Sequence, residues 1–369
     1  MDTKTPAPPP KDEPAGERLL LFSLADFWSL IEPLLIAAAP KKICEIGLGQ
    51  GDFTRLVLGF CARNNCHYAG IDPGQDGALA NSNAEAQAEF YQRPSLSVLS
   101  ELPAQDVYFV DGDHNYHTVL NELRLIRRWP ENWPLVILHD VGWPWARRDH
   151  YYAPETIPEA FRHLHSPSQG VITDSNESGQ KEPGKLDGLY QWLVGRNEPG
   201  LREGANQSAT KGYDAAMQEG GPRNGVLTAI EDFLREPFNE GWKLVTIPAV
   251  FGLGILYAPQ KCAPAIADHV GRLEASVAPL KPLLALLERN RLELFAKHLG
   301  HVEQLGAVHE NYSKLDAHAA ALLGKFNDLL RAYEGLDAYC QTLSSNLKAA
   351  QQQAGELKEK PEGGQPLIN

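Results

Sequence analysis

Two short stretches of this 369-residue chain end in acids and imidazoles. One runs Asp106-Val107-Tyr108-Phe109-Val110-Asp111-Gly112-Asp113-His114-Asn115-Tyr116 and the other Leu135-Val136-Ile137-Leu138-His139-Asp140. Each starts as an apolar run of strand length. As neighbouring strands they would deliver Asp111, Asp113, His114, His139 and Asp140 to one sheet edge, the edge where doubly wound sheets bind ligands. Carboxylates arriving from separate strand ends suit a hard divalent cation such as Mg²⁺, which takes one or two protein oxygens and completes its octahedron with water and substrate. The same residues have plainer roles open to them. His114 could satisfy a backbone carbonyl, Asp113 could cap a helix starting near Tyr116, and His139 could stand behind the ligands.

The elements that would position this set begin upstream. Lys41-Lys42-Ile43-Cys44-Glu45-Ile46 reads as a buried strand, and Gly47, Gly49 and Gly51 then alternate through a tight turn. Glycines let a backbone turn with positive φ and approach a ligand closely. The dinucleotide fingerprint G-x-G-x-x-G needs a third small residue at position 52, where this chain has Asp52, which argues against NAD or FAD. His67-Tyr68-Ala69-Gly70-Ile71-Asp72 is a second strand, ending in an acid placed to meet a ribose diol. Further strands are expected at 88–93, 106–111 and 134–139, with a closely connected pair at 242–248 and 251–258.

The loop from Glu45 to Gly51, followed by Asp72, resembles motif I of the class I S-adenosylmethionine-dependent methyltransferases. Asp111-Gly112-Asp113-His114-x-Tyr116 is similar to the motif of metal-dependent sugar O-methyltransferases within that class. The resemblance implies an α/β fold, a doubly wound, Rossmann-like, seven-stranded sheet closed by an antiparallel pair. It implies S-adenosyl-L-methionine held by Glu45, Gly47, Gly49, Gly51, Asp72, Ser95 and Asp111. Pro94 stands where an acid is common, so Ser95 alone is carried over after the third strand. Asp111, His139 and Asp140 become the ligands of Mg²⁺ or another divalent cation, with His139 where the family often has a carboxylate; imidazole favours Mn²⁺, Fe²⁺ or Zn²⁺. Asp113 or His114 would take the acceptor's proton, His114 preferred because an ordinary pKa near 6.5 leaves it mostly neutral at pH 7. The implied acceptor is a hydroxyl of a sugar or glycan. A phenol or other small metabolite is the alternative, as is a scaffold that binds cofactor without turnover.

Composition bounds the rest. A formal net charge of −13 excludes a general nucleic-acid partner, which would need a basic surface. Five cysteines without CxxC spacing suggest a reduced, cytoplasmic protein. The apolar stretch 19–39 carries Asp26, Glu32 and Pro33, which suits a helix covering a sheet and not a membrane span or signal peptide. Residues 1–16 read as a disordered tail, 17–260 as the methyltransferase domain and 141–239 as an insertion or lid, its middle (174–222) mobile. In that insertion Arg147-Arg148-Asp149 reads as a solvated charge run or, with Trp143, Trp145, Tyr151 and Tyr152, as a binding surface.

Over 261–353 the period changes. Leu recurs at every seventh position from Leu315 to Leu343, interleaved with Tyr312, Phe326, Tyr333 and Cys340, the pattern of a coiled-coil seam. As one helix, residues 305–347 would extend roughly 60 Å, far more than a sheet needs, so a homo-oligomer is expected. One amphipathic helix on its own domain, or a hairpin at Gly300 and Gly306, is the alternative, and 354–369 reads as a frayed tail.

Overall fold

The computed structural model describes residues 21–74, 87–166, 214–216 and 218–358. The expected tail 1–16, most of the 174–222 stretch and residues 359–369 lie outside the described residues. The chain divides into two compact units, Met1–Lys297 and His298–Asn369.

In the first unit the described strands are β1 (Lys42–Ile46), β2 (His67–Ile71), β3 (Ala88–Tyr91), β4 (Val107–Val110), β5 (Leu135–Leu138), β6 (His150–Tyr151), β7 (His165–Ser166), β8 (Asp214–Ala216), β9 (Lys243–Ile247) and β10 (Leu253–Tyr257). Seven of them form one sheet in the order β3-β2-β1-β4-β5-β10-β9. The first five are parallel, and β10 runs antiparallel to both β5 and β9. This is the doubly wound, Rossmann-like sheet the sequence implied.

Continuous apolar runs such as Val107–Val110 are buried along their whole length because helices cover both faces, as parallel sheets require. Alternate residues of each strand go to opposite layers. Ile43, Val107, Phe109, Ile137 and Ile255 pack with α1 (Trp28–Ala38), α2 (Asp52–Asn64) and, farther along, α6 (Pro264–Val277). Cys44, Ile46, Tyr108, Val136 and Leu138 pack with α3 (Ser95–Glu101), α4 (Tyr116–Arg127) and α5 (Val226–Arg235). The stretch read as an insertion up to 239 therefore ends in a sheet-covering helix, because Val226, Ile230 and Phe233 recur at helical spacing on one buried face. The small three-stranded sheet β6-β8-β7 lies within the remaining insertion.

Helix α7 (Lys281–Lys358) runs without a turn at Gly300 or Gly306. The unit containing the sheet extends beyond the expected residue 260 to Lys297, since Ile266 and Val270 of α6 and Leu292 and Phe295 of α7 are buried. In the second unit α7 leaves Leu315, Leu322, Phe326, Leu329, Tyr333 and Leu336 exposed. Among the described residues, no helix is long and apolar enough to cross a membrane.

Candidate active site

Strand β1 stops at Ile46 because Gly47 turns the chain at φ +85°, toward the end of β4. A Cβ at Gly47 would lie 2.1 Å from the Asp111 carbonyl oxygen, so only glycine fits. Asp72, at the tip of β2, braces the loop: its Oδ2 accepts the Leu48 amide at 2.9 Å and its Oδ1 the Gly74 amide at 2.7 Å. Gly51, at φ +79°, then opens α2. A helix N-terminus is an anion site, but here the first turn already carries Asp52, ion-paired with Arg55.

Two residues expected at the cofactor have hydrogen-bond partners within the protein. Glu45 is buried, and its carboxylate accepts the Thr54 hydroxyl at 2.8 Å and the Tyr68 hydroxyl at 2.6 Å. Burial, partly offset by those two bonds, pushes its pKa up to about 8. Strand alternation sends Glu45 into the layer beneath the loop, where it ties α2 to β2. Ser95 opens α3 and donates at 2.5 Å to Glu122, itself buried on α4 and pushed up to about 8 by burial.

The acid–imidazole set converges. Val110 pairs with Leu138 in register, so the residues that follow, Asp111 on β4 and His139-Asp140 on β5, arrive side by side. His139 is buried between the rings of Phe27 and Phe251. Its Nε2 lies 2.9 Å from the Val250 carbonyl oxygen. A carbonyl only accepts, so the proton sits on Nε2 and Nδ1 faces the carboxylates, 3.1 Å from Asp111 Oδ1 and 3.4 Å from Asp140 Oδ2. The same Asp140 oxygen is 2.9 Å from His114 Nδ1. Asp140 holds φ +58°, the left-handed region, which costs a non-glycine residue about 1–3 kcal/mol and is seen where a site fixes geometry.

The charges are strongly coupled. Burial opposes charge on both histidines, yet Asp140, Asp111 and Asp113 outweigh it at His114 and raise it to about 9. Asp111 and Asp140 raise His139 well above its ordinary value. Burial would push Asp140 up, but His114 and His139 hold it well below the usual carboxylate range. The carboxylates around His114 thus favour its protonated form, whereas the reading as a base needs the neutral ring. Burial raises Asp113 against a hydrogen bond from the Thr118 hydroxyl at 2.9 Å. It does not cap α4: Asn115 does, accepting the Thr118 amide at 2.9 Å.

One ligand atom each from Asp111, His139 and Asp140 lies within 4.8 Å of the other two. With Nε2 committed to a carbonyl, Nδ1, once a bound cation displaces its proton, and two carboxylates form a donor set that fits a divalent cation, and the carbonyl contact is the outer-layer orientation that metal-binding imidazoles use.

The insertion roofs this edge with aromatics. His114 stacks on His150 at 5.7 Å, His150 stacks on Trp145 at 4.5 Å, and His114 Nε2 lies 3.1 Å from the Tyr152 hydroxyl. Burial, followed by the nearby His114 charge, lowers His150 to about 3. Of the expected binding aromatics, Trp145 and Tyr151 are buried while Trp143 and Tyr152 stay accessible. Arg147-Arg148-Asp149 is not a solvated run. Arg147 pairs with Glu231 at 2.6 Å, Arg148 is buried, and Asp149 is fully buried, accepting the amides of Tyr116 and Gly225 at 2.7 Å each. Sequence reasoning gave no part to His150 or Val250: one sits beside a charge run, the other in a short connection, and neither carries a motif.

Residues 44–141 match the family described as a methyltransferase domain, and the loop, Asp72 and the acid–imidazole set all lie within the matched stretch. Solved structures of similar fold include an S-adenosylhomocysteine-bound methyltransferase of Podospora anserina, at 12% identity and TM-score 0.34, covering 62% of this chain and 77% of that one. A candidate caffeoyl-CoA O-methyltransferase of Staphylococcus aureus is 13% identical at TM-score 0.33, covering 63% and 82%. Human N-acetylserotonin methyltransferase, in complex with S-adenosylmethionine, is 15% identical at TM-score 0.29, covering 64% and 53%. These likenesses are distant, and the fold rests on the sheet order itself. No curated protein matches the chain by sequence.

Proposed function

We propose that this chain transfers the methyl group of S-adenosyl-L-methionine to a hydroxyl of a sugar or glycan, with a divalent cation held by Asp111, His139 and Asp140. The observation that carries it is the single edge on which the braced glycine loop and the acid–imidazole set meet, across the β1/β4 switch point of the sheet. Gly47, Gly49, Gly51 and Asp72 shape the cofactor side. Ser95, at the start of α3 and bonded to Glu122, completes that side, and Glu45 supports the loop from beneath. Tyr152, exposed beside His114, gives a sugar a ring face and a hydroxyl partner.

Methyl transfer to oxygen requires that the acceptor's proton leave as the bond forms. His114 and Asp113 are the groups at hand, His114 lying between Asp140 and the Tyr152 hydroxyl. A divalent cation on the three ligands would polarise the acceptor hydroxyl and offset the Asp140 charge that keeps His114 protonated. Self-association through the heptad stripe at 305–347 completes the proposal, supported by the exposure of its leucines and aromatics.

Titration calorimetry with S-adenosylmethionine, followed by labelled-methyl transfer to a panel of sugars and phenols with and without a chelator, tests it. Micromolar cofactor binding and sugar methylation that is lost in His114→Ala and Asp140→Ala are expected. A chain that binds no cofactor ends the proposal, and transfer to phenols alone moves the acceptor class.

A further inference from the structure

The first turns of α7, within the unit that ends at Lys297, pack beside the site. Glu288 is buried there, and its Oε1 accepts the Phe251 amide at 2.8 Å. Arg291 closes the carboxylate from the other side, with Nε donating to Oε2 at 2.8 Å and Nη2 to Oε1 at 2.6 Å. The same guanidinium donates to the Leu21 carbonyl at 3.1 Å and lies over the Phe251 ring at 5.4 Å.

The turn held in this way is strained. Val250 and Phe251 have φ of +48° and +62°, successive left-handed values that short hairpins ordinarily give to Asn-Gly. For a β-branched valine that conformation is an outlier. The turn's two carbonyls are both used: Val250 receives the His139 Nε2 proton, and Phe251 receives the Gly142 amide at 2.7 Å. The segment that carries His139 and Asp140 is thus fastened to this turn at both ends, and Glu288 fastens the turn to α7.

We propose that Glu288 is a positioning residue for His139: by accepting the Phe251 amide it holds the Val250 carbonyl where it fixes Nε2 and leaves Nδ1 facing Asp111 and Asp140. The inference rests on His139 being a site residue of the proposed methyltransferase. Packing alone does not account for the choice of residue, since an apolar side chain of similar length would fill the space. Only an acceptor satisfies the buried amide in this conformation.

Glu288→Met keeps the shape and removes the acceptor, whereas Glu288→Gln keeps a carbonyl oxygen in its place. In spectra of the histidine-labelled chain, with His139 assigned through His139→Asn, the ring Nε2 proton should be protected from exchange in the wild type and in Glu288→Gln, and exposed in Glu288→Met. The kcat should fall roughly tenfold in Glu288→Met with the KM for S-adenosylmethionine within about twofold, because Glu288 contacts the turn of Phe251 and not the glycine loop. Glu288→Gln should recover most of that loss. In the unmutated protein the Phe251 amide should exchange slowly, a measurement that stands if a variant fails to fold. An unchanged His139 spectrum in Glu288→Met, an equal loss in both variants, or a fast-exchanging Phe251 amide overturns the inference. A wild-type chain without methyl transfer would remove the proposed function, and the histidine spectrum would still decide the part played by Glu288.

Discussion

At the carboxyl edge of the sheet, titratable groups are withdrawn from solvent: Asp140 and His139 are buried and His114 is mostly so. Along α7 beyond residue 305 the reverse holds, with leucines and aromatics facing water. Either arrangement is unfavourable by itself, since buried charges lose hydration and exposed apolar patches of this extent mark interaction surfaces. The two are compensated differently. The edge is satisfied internally, each histidine against a carboxylate, while the described residues hold nothing that covers the stripe. Internal compensation fixes geometry, which chemistry needs; the uncovered stripe is the surface proposed for self-association.

The comparison breaks most sharply at Asp140. Asp140→Asn tolerates the left-handed backbone, as asparagine does, but removes the charge shared by His114 and His139. Methyl transfer should fall about 10³-fold, within the range for a lost acid–base system, and His114 should titrate near its ordinary pKa by NMR. A variant with more than a tenth of wild-type activity would show that the buried charge is not needed.

Gly47→Ala comes next. With φ +85° and a Cβ 2.1 Å from the Asp111 carbonyl, it should destabilise the chain by about 2–4 kcal/mol and abolish cofactor binding. Melting curves and calorimetry would show it, and an unshifted melt would contradict the close approach of the two strand ends.

The pH dependence separates the regions further. His114 is raised from 6.5 to about 9, so its stabilisation is present in full below pH 6.5 and is lost as pH rises through 9. The loss is on the order of 3 kcal/mol at most. Glu45, raised to about 8 by burial, acts in the same sense, its effect lost between pH 4.5 and 8. Without added metal, melting temperature should therefore drop from pH 6.5 to 9. A divalent cation should reduce that drop, because binding at His139 displaces a proton. A flat profile would mean that the histidines are not charged in the folded chain.

The smallest effect on stability is expected on the stripe. Leu322→Asp with Leu329→Asp should leave the melting temperature within the range of surface substitutions, about 0.5 kcal/mol, while sedimentation shifts from an oligomer to a monomer. A monomer before and after removes the assembly role.

Much of this was written in the sequence, because it depends on short-range order. Apolar runs of strand length, alternate glycines and acids after β2, β4 and β5 located the strands of the main sheet and brought Asp72, Asp111, His139 and Asp140 to one edge, since parallel strands in register put their ends together. The heptad period likewise marked α7. What only the tertiary structure decided is where side chains turn and what charge they carry. Strand alternation placed Glu45 beneath the loop, and residues about a hundred positions away, Val250 above all, set which nitrogen of His139 faces Asp111. Neighbouring carboxylates, against the effect of burial, and not residue type alone, raise His114. Residue spacing is local and can be read along the chain, whereas hydrogen-bond partners and desolvation are properties of the packed neighbourhood, and no one-dimensional pattern contains them.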